Sequence, residues 1–441
     1  MYPIFNVVNR IAAENLLTTK WSGVRYNRKS RYAILAYMSG ITDRIQKEAT
    51  HFRAMPKTAQ LLTLSYFLRS IAYPLLSLFT SAYIWKTNND AIFLIVYYIG
   101  NFAVLPPMFI ANKWLLRRVR LTTLYGIGTV LTGVSALMVV FYHANSAGTY
   151  LLYGAIYGVG NGLYWANRNF LTLRHTTSAV RSYFTGLQFS LSTVASVVVP
   201  VIAGWVIVFS HTGYELLVVA AFALLLIAGF MMKDVAIEQP TLTEDRPVPF
   251  SPIWQKARLL SLSIGVVDSA LYILQAVLVL KAIGNEGILG SISGLIAILT
   301  AVASYIFGRM YKPATFLPIF TAMLMGFILS GIPLLWGITA FSVAWYLLIV
   351  NFADNFIWIA NEPKLMDMMD EEVTRSHCPH YRLIIDREWF VDAGRVIALI
   401  LFLGIALYNQ TRAMQIIASL TGFVSLLFIL PIMNKMRTKV V

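Results

Sequence analysis

GNGLYWANRNF, residues 160–170, closes an apolar run and yet carries Asn161, Trp165, Asn167 and Arg168. In a helix Asn161, Trp165 and Arg168 fall at i, i+4 and i+7 and share one face. The stretch has an echo. ADNFIWIANEP, residues 353–363, aligns with it at an offset of 194, which sets Asn161 on Asn355, Ala166 on Ala360, Asn167 on Asn361 and Arg168 on Glu362. Asn351, Asn355, Trp358 and Glu362 make the matching face. The chain reads as built twice, with opposite charges at one equivalent position.

The duplication extends outward. RSYF at Arg181–Phe184 matches REWF at Arg387–Phe390 with an offset of 206, and Arg69 matches Asp268 with an offset of 199. The offsets drift by a few residues, as loop insertions require. Parallel repeats kept in this order mark several transporter folds.

Composition sets the solvent. The 441 residues are 58% hydrophobic and 12% charged, with mean hydropathy +0.67, against roughly 25% charged residues in soluble domains. This is a polytopic membrane protein with no room for a large soluble domain. Twelve apolar runs are predicted: Leu61–Trp85, Ala91–Ile110, Leu121–His143, Thr149–Phe170, Phe184–Phe209, Tyr214–Met232, Ile253–Leu280, Ile288–Met310, Thr315–Trp336, Ala340–Ile359, Trp389–Tyr408 and Ala413–Met433. Pro106-Pro107 is expected to kink run 2. A mixed-charge loop is expected over about Asn361–Arg387.

The net charge of +15 suggests nucleic acid only until its placement is read. Of the 35 Lys and Arg, Lys86, Lys281 and Arg412 fall on one side of the runs, and Arg69 and Arg395 fall inside them. The rest lie on the side that holds both termini. That is a positive-inside pattern, so both termini are expected to be cytoplasmic, in a cell membrane, with lipids rather than nucleic acid as surroundings. The single cysteine, Cys378, excludes an intramolecular disulfide. No cleavable signal peptide is evident. The sequon Asn409-Gln410-Thr411 lies in a very short loop and is not expected to be glycosylated.

Ten Lys and Arg precede Leu61. Residues 1–55 therefore read as a basic cytoplasmic arm, partly lying on an anionic inner leaflet. Residues 56–232 and 253–435 read as two six-helix bundles, 233–252 as the polar, Pro-containing linker between them, and 436–441 as a tail.

Twelve runs, a six-plus-six repeat, a long central linker and inside termini resemble the major facilitator superfamily over about residues 56–435. That family often carries a basic loop with an Asp and a Gly between runs 2 and 3. Asn112-Lys113-Trp114-Leu115-Leu116-Arg117-Arg118 keeps the basic residues and lacks the Asp and Gly. Gly308-Arg309 and Lys312 give a fragmentary echo between runs 8 and 9. The resemblance implies an all-α fold of twelve transmembrane helices in two pseudo-symmetric six-helix bundles. It also implies that runs 1 and 7 line a central cavity, and that the cytoplasmic ends of runs 4, 5, 10 and 11 meet when the protein opens outward.

Charges inside the runs are the candidate site. A charge at the bilayer centre costs at least ~2.5–3.5 kcal/mol on insertion scales, so it faces a cavity or a partner. Arg69 lies roughly 18 Å past Lys57 along a helix and Asp268 roughly 15 Å past Arg258 at ~1.5 Å per residue. Both are expected near mid-membrane, facing one cavity. There they anchor a substrate, exchange a pair during transport, or simply pin two helices together. Asn161, Trp165, Tyr272 and Asn355 complete the expected substrate site. Glu388, Asp392 and Arg395 share a face of run 11. With Arg168, Arg181 and Glu362 they are expected to form an inner gate of weak, breakable pairs of ~0–1 kcal/mol each. Desolvation disfavours a charged carboxylate, so Asp354 and Asp268 are the candidate proton carriers, ahead of a sodium site. The aromatics Tyr164, Trp165, Tyr272 and Trp358 near these polar groups can stack on a ring or cover an amphiphile.

His377-Cys378-Pro379-His380 lacks the second half of a zinc pattern, no Gly-rich phosphate loop is present, and no Ser/His/Asp arrangement stands out. No metal, cofactor or enzymatic activity is expected. The expectation is a monomeric secondary active transporter of a small zwitterionic or anionic amphiphile, proton-coupled, with export favoured over uptake. The alternatives are a lipid translocase, a facilitator, or a non-transporting membrane sensor or enzyme.

Overall fold

The computed structural model describes residues 50–142, 146–175, 178–233, 250–311 and 315–437, with 235 and 248. The chain divides into two units, Met1–Gln60 and Leu61–Val441. Of the first, residues 50–60 are described. The Gln60 amide donates there to the carbonyls of Met55 (2.8 Å) and Arg53 (3.2 Å). The interfacial arm expected over residues 1–55 lies outside the described residues except for 50–55.

Twelve long helices follow: α1 Lys57–Asn88, α2 Ala91–Leu115, α3 Leu121–Phe141, α4 Ala147–His175, α5 Ser178–Phe209, α6 Gly213–Phe230, α7 Pro252–Ile283, α8 Glu286–Met310, α9 Phe316–Gly331, α10 Ala340–Ser376, α11 His380–Tyr408 and α12 Gln410–Arg437. Among the described residues, eleven are long and apolar enough to cross a membrane by length and composition. The twelfth, α4, is 29 residues long but rich in Gly and Tyr. Packing explains that choice. A Cβ on Gly154 would stand 1.8 Å from the Tyr97 carbonyl of α2, so only glycine lets the two helices lie this close.

The helices start where the sequence supplies caps. Asp90 accepts from Ile92 N at 2.7 Å to open α2, Asn285 from Ile288 N at 3.0 Å to open α8, and Thr339 with Ser342 forms a capping box at α10. Such side chains satisfy backbone donors that have no intrahelical partner. Within the second unit α4 packs between α2 and α3, and α7 among α10, α11 and α12. The two halves of the sequence meet along α2–α11 and α5–α8, with the Lys86 end of α1 against α7.

One expectation changes. The mixed-charge loop is helix: α10 runs to Ser376 and α11 starts at His380. The extension buries Leu365, Met368, Met369 and Glu372, spaced i, i+3, i+4 and i+7, so its charges other than Glu372 lie off the buried face of an amphipathic helix. The cluster 377–380 is the turn between these helices. His377 sits at φ 55°, Pro379 opens α11, and His380 Nε2 lies 2.7 Å from Asp370. α1 is interrupted by a π-helical turn at Leu75–Phe79 directly after Pro74, where the proline removes one backbone donor. Pro106 and Pro107 lie within the continuous α2.

Candidate functional site

Arg69 stands at the centre of α1–α4 and is 4% exposed. Its Nη1 donates to Thr132 Oγ1 of α3 at 3.1 Å and its Nη2 to Asn161 Oδ1 of α4 at 2.9 Å. The Asn161 amide donates on to Asn101 of α2 at 3.3 Å. The guanidinium carbon lies 3.6 Å from the centroid of the Tyr164 ring, a cation–π contact. Each of the four helices contributes to this nest, and every partner is neutral.

Asp268, the equivalent position on α7, is surrounded differently. Its carboxylate accepts from Arg395 Nε at 2.7 Å and Nη2 at 2.5 Å, and Arg395 Nη1 donates to Asp392 at 2.8 Å. Asp392 is fully buried. The expected association of Arg69 with Asp268 is therefore replaced. The cause is helix spacing. A Cβ on Gly265 of α7 would stand 1.9 Å from the Val391 carbonyl, and one on Gly394 of α11 would stand 2.2 Å from the Leu262 carbonyl. The two glycines bring α7 and α11 into backbone contact and set Asp268 beside Arg395. Arg395 also lies 4.8 Å from the Phe102 ring of α2.

Three cavities surround these groups. One of about 640 Å³ is lined by Asp268, Tyr272, Gln275, Asp354 and Asn355. A second, of about 430 Å³, is lined by Asn161, Trp165, Arg168, Tyr272, Glu362 and Arg395. A third, of about 360 Å³, is lined by Arg69, Trp165, Arg168 and Gln188. Tyr73 of α1 lines all three. The expected substrate residues are thus all placed on or between these cavities, but Arg69 and Asp268 face different ones.

Four of the six expected gate residues, Arg168, Glu362, Glu388 and Arg395, line the 430 Å³ cavity together, but their partners differ. Glu362 pairs with Arg387, which also lies 3.8 Å from Glu388. Asp392 and Arg395 belong to the Asp268 cluster. Arg168 stacks against Trp165 at 4.8 Å and Tyr66 at 5.0 Å. The Arg181 side chain lies outside the described residues. Asp354 Oδ1 and Asp392 Oδ2 are buried without a hydrogen-bond partner.

Sequence reasoning missed the opposite end. Lys86 of α1 pairs with Glu286 of α8 at 2.5 Å, Tyr214 donates to Glu286 at 3.0 Å, and Gln410 of α12 donates to Asp90 of α2 at 2.8 Å. Among the described residues Lys86–Glu286 is the one ion pair that joins the two halves. The signal was present, because Asn89-Asp90 and Asn285-Glu286 are the same Asn-acid pair at the starts of repeat-related helices. Also missed was the Arg258–Asp386 pair (2.7 and 2.9 Å), shared with Trp254 Nε1 at 2.7 Å, which ties the other ends of α7 and α11.

The family model described as Major Facilitator Superfamily matches residues 61–376. The chain belongs to the major facilitator superfamily. It is 29% identical over 171 residues to the uncharacterized protein YqgE of Bacillus subtilis, covering 38% of this chain and 40% of that protein. It is 28% identical over 133 residues to an uncharacterized protein in the sodM 3′ region of Geobacillus stearothermophilus, covering 30% of this chain and 62% of that protein. The chain therefore spans less than two thirds of each of these curated relatives. Among solved structures it resembles a bacterial homologue of the human lysosomal transporter Spinster in an inward-facing, unoccupied conformation. The TM-score is 0.59 at 13% identity, over 84% of this chain and 94% of that one. That likeness is one of fold, and it agrees with the twelve-helix architecture of this superfamily member.

Proposed function

We propose that this protein is a secondary active transporter that moves a small zwitterionic or anionic organic solute across a cell membrane. It works by rocking of two six-helix bundles, residues 56–232 and 253–435, with both termini cytoplasmic and the chain acting as a monomer. The observation that carries the reading is the set of cavities around Tyr73, lined by charged residues of both repeats. A membrane helix keeps buried charges only where they serve a pathway or a pair. Substrate contacts are assigned to Arg69, Asn161, Trp165, Asp268, Tyr272 and Asn355.

Proton coupling follows from unmatched carboxyl oxygens. Asp354 lines the cavity of about 640 Å³ and has one oxygen without a donor. A buried acceptor without a partner is costly, and a protonated carboxyl brings its own hydrogen. The charged groups acting on Asp354 are Asp268 and Arg395. Asp268 and Asp392 share the one guanidinium of Arg395, so this cluster is electrically balanced when it holds one proton. Release and uptake of that proton can track rocking of the bundles, because Arg395 also lies against Phe102 of α2 in the other bundle. Sodium is the second choice of coupling ion, and export is favoured over uptake.

The test is flux of a solute library in proteoliposomes under imposed pH gradients, comparing wild type with Asp268→Asn and Asp354→Asn. Gradient-driven accumulation by wild type, reduced to downhill exchange in one variant, is the expected result. Equal movement with and without proton or sodium gradients would replace coupled transport with facilitated passage.

A further inference from the structure

We infer that the cavity between α1, α4 and α5 is an oxyanion subsite. It receives the carboxylate or phosphate end of an amphiphilic molecule, separately from the acidic cavity beside α7 and α10. The inference deepens the transport reading and rests on it only for what happens after binding.

The cavity, about 360 Å³, is lined by Arg69 and Arg168 and, among the described residues, by no Asp or Glu. Neither arginine has a carboxylate partner among the described residues. Arg69 uses two N–H groups on Thr132 and Asn161, while a guanidinium offers five. Arg168 Nε is buried with no acceptor. A third donor joins them independently, from another helix: the Gln188 amide nitrogen of α5 lines the same cavity and is also buried without a partner. Two unpartnered donors, one of them cationic, and the remaining N–H groups of Arg69, around a hollow with no acid among its described residues, leave one kind of complement. Isolated buried charge is expensive, and a guanidinium matches carboxylate and phosphate geometry better than it matches any other small group.

The remaining wall gives the body of the ligand. Tyr66, Tyr164, Trp165 and Phe189 present aromatic surface beside the donors. An oxyanion attached to a planar or apolar group therefore satisfies both parts of the lining. By contrast, the neighbouring cavity offers Asp354 and Asp268 and, among its described lining residues, no arginine or lysine. One cavity is basic and its neighbour acidic in their described linings, both reach Tyr73, and the 430 Å³ cavity beside them carries both signs. Arg168, expected at a gate, is here a ligand-binding residue.

The probes are benzoate, phenylphosphonate and inorganic phosphate, titrated calorimetrically into the full-length protein in phosphatidylcholine nanodiscs, with benzamide as the uncharged match of benzoate. Saturable binding of benzoate or phenylphosphonate is expected, with benzamide at least tenfold weaker and Arg168→Gln lowering affinity at least tenfold. Arg69→Gln is expected to abolish binding, but Arg69 also joins three helices, so Arg168→Gln decides the matter. Repeating the titration with phosphatidylglycerol in the disc distinguishes the source of the oxyanion. Competition assigns the subsite to an anionic lipid headgroup, and unaltered affinity assigns it to a soluble anion. Equal binding of benzamide overturns the inference, as does the absence of any Arg168-dependent response to the three probes and to phosphatidylglycerol. Because binding is read without a gradient, binding without flux removes the transport reading alone. Flux unchanged by Arg168→Gln removes the subsite alone.

Discussion

Arg69 and Asp268 are equivalent positions of a duplicated chain, and they accommodate a buried charge in opposite ways. Arg69 is held by a hydroxyl, an amide and an aromatic face. Asp268 is held by a full ionic partner that it shares with Asp392. The difference teaches which half carries free charge. The N-terminal nest surrounds its cation with neutral groups alone, whereas the C-terminal cluster is internally paired, with two carboxylates on one guanidinium.

The comparison breaks most visibly by deleting one cation from each half. Arg395→Met strands two buried carboxylates, and breaking a buried pair costs about 3–5 kcal/mol. Arg69→Met strands only neutral groups, at about 1–3 kcal/mol. Cys378 is buried and is the single cysteine of the chain, so thermal unfolding can be followed by its reaction with a fluorogenic maleimide. The expected order of lost stability is Arg395→Met well above Arg69→Met. Adding Asp268→Asn to Arg395→Met should recover part of the loss. Equal losses, or no recovery, would mean that the two sites are not built on different principles.

A smaller effect separates the echoed asparagines. Asn167 and Asn361 are both fully buried. Asn167 exchanges hydrogen bonds with Asn112 of α2 at 2.7 and 3.3 Å and donates to the Leu163 carbonyl at 2.7 Å. Neither amide atom of Asn361 has a partner. Asn167→Leu should cost about 1–3 kcal/mol by leaving Asn112 unpaired, whereas Asn361→Leu should be neutral or stabilising. The Cys378 assay reads both. A large loss at Asn361 would show that this amide serves a partner acquired in another conformation.

The architecture was legible because hydrophobic runs, basic loops and an ordered internal repeat are properties of local sequence. Arg69, Asp268, Asn161 and Asn355 could be picked out for the same reason, since a polar residue inside an apolar run is conspicuous. Pairing was not legible. Whether Asp268 meets Arg69 or Arg395 depends on backbone separation, set by Gly265 and Gly394, and two glycines in a glycine-rich chain carry no such message alone. The helical extension of α10 was hidden for another reason. Its many charges resembled a loop, and the buried face of Leu365, Met368, Met369 and Glu372 shows only when the period is counted. Lys86 and Glu286 looked like ordinary loop charges, because a contact across 200 residues leaves no local trace.

That last pair gives the subtlest way to sharpen the comparison between halves. Lys86–Glu286 joins α1 to α8, whereas Arg387–Glu362 stays within the C-terminal half. Lys86 is 58% exposed, so Lys86→Ala should change global stability by only ~0–1 kcal/mol. Its effect belongs to the balance between conformations, because the pair exists only while the halves are together at that end. Ser77 lines two of the central cavities, and Ser77→Cys makes it a reporter. Labelling of Ser77→Cys by a membrane-impermeant maleimide added on the Lys86 side should accelerate when Lys86→Ala is combined with it. Arg387→Ala, which breaks no bond between halves, should leave that rate unchanged. If both variants accelerate labelling equally, the Lys86 pair is an ordinary surface contact and the closure of that end rests on helix packing alone.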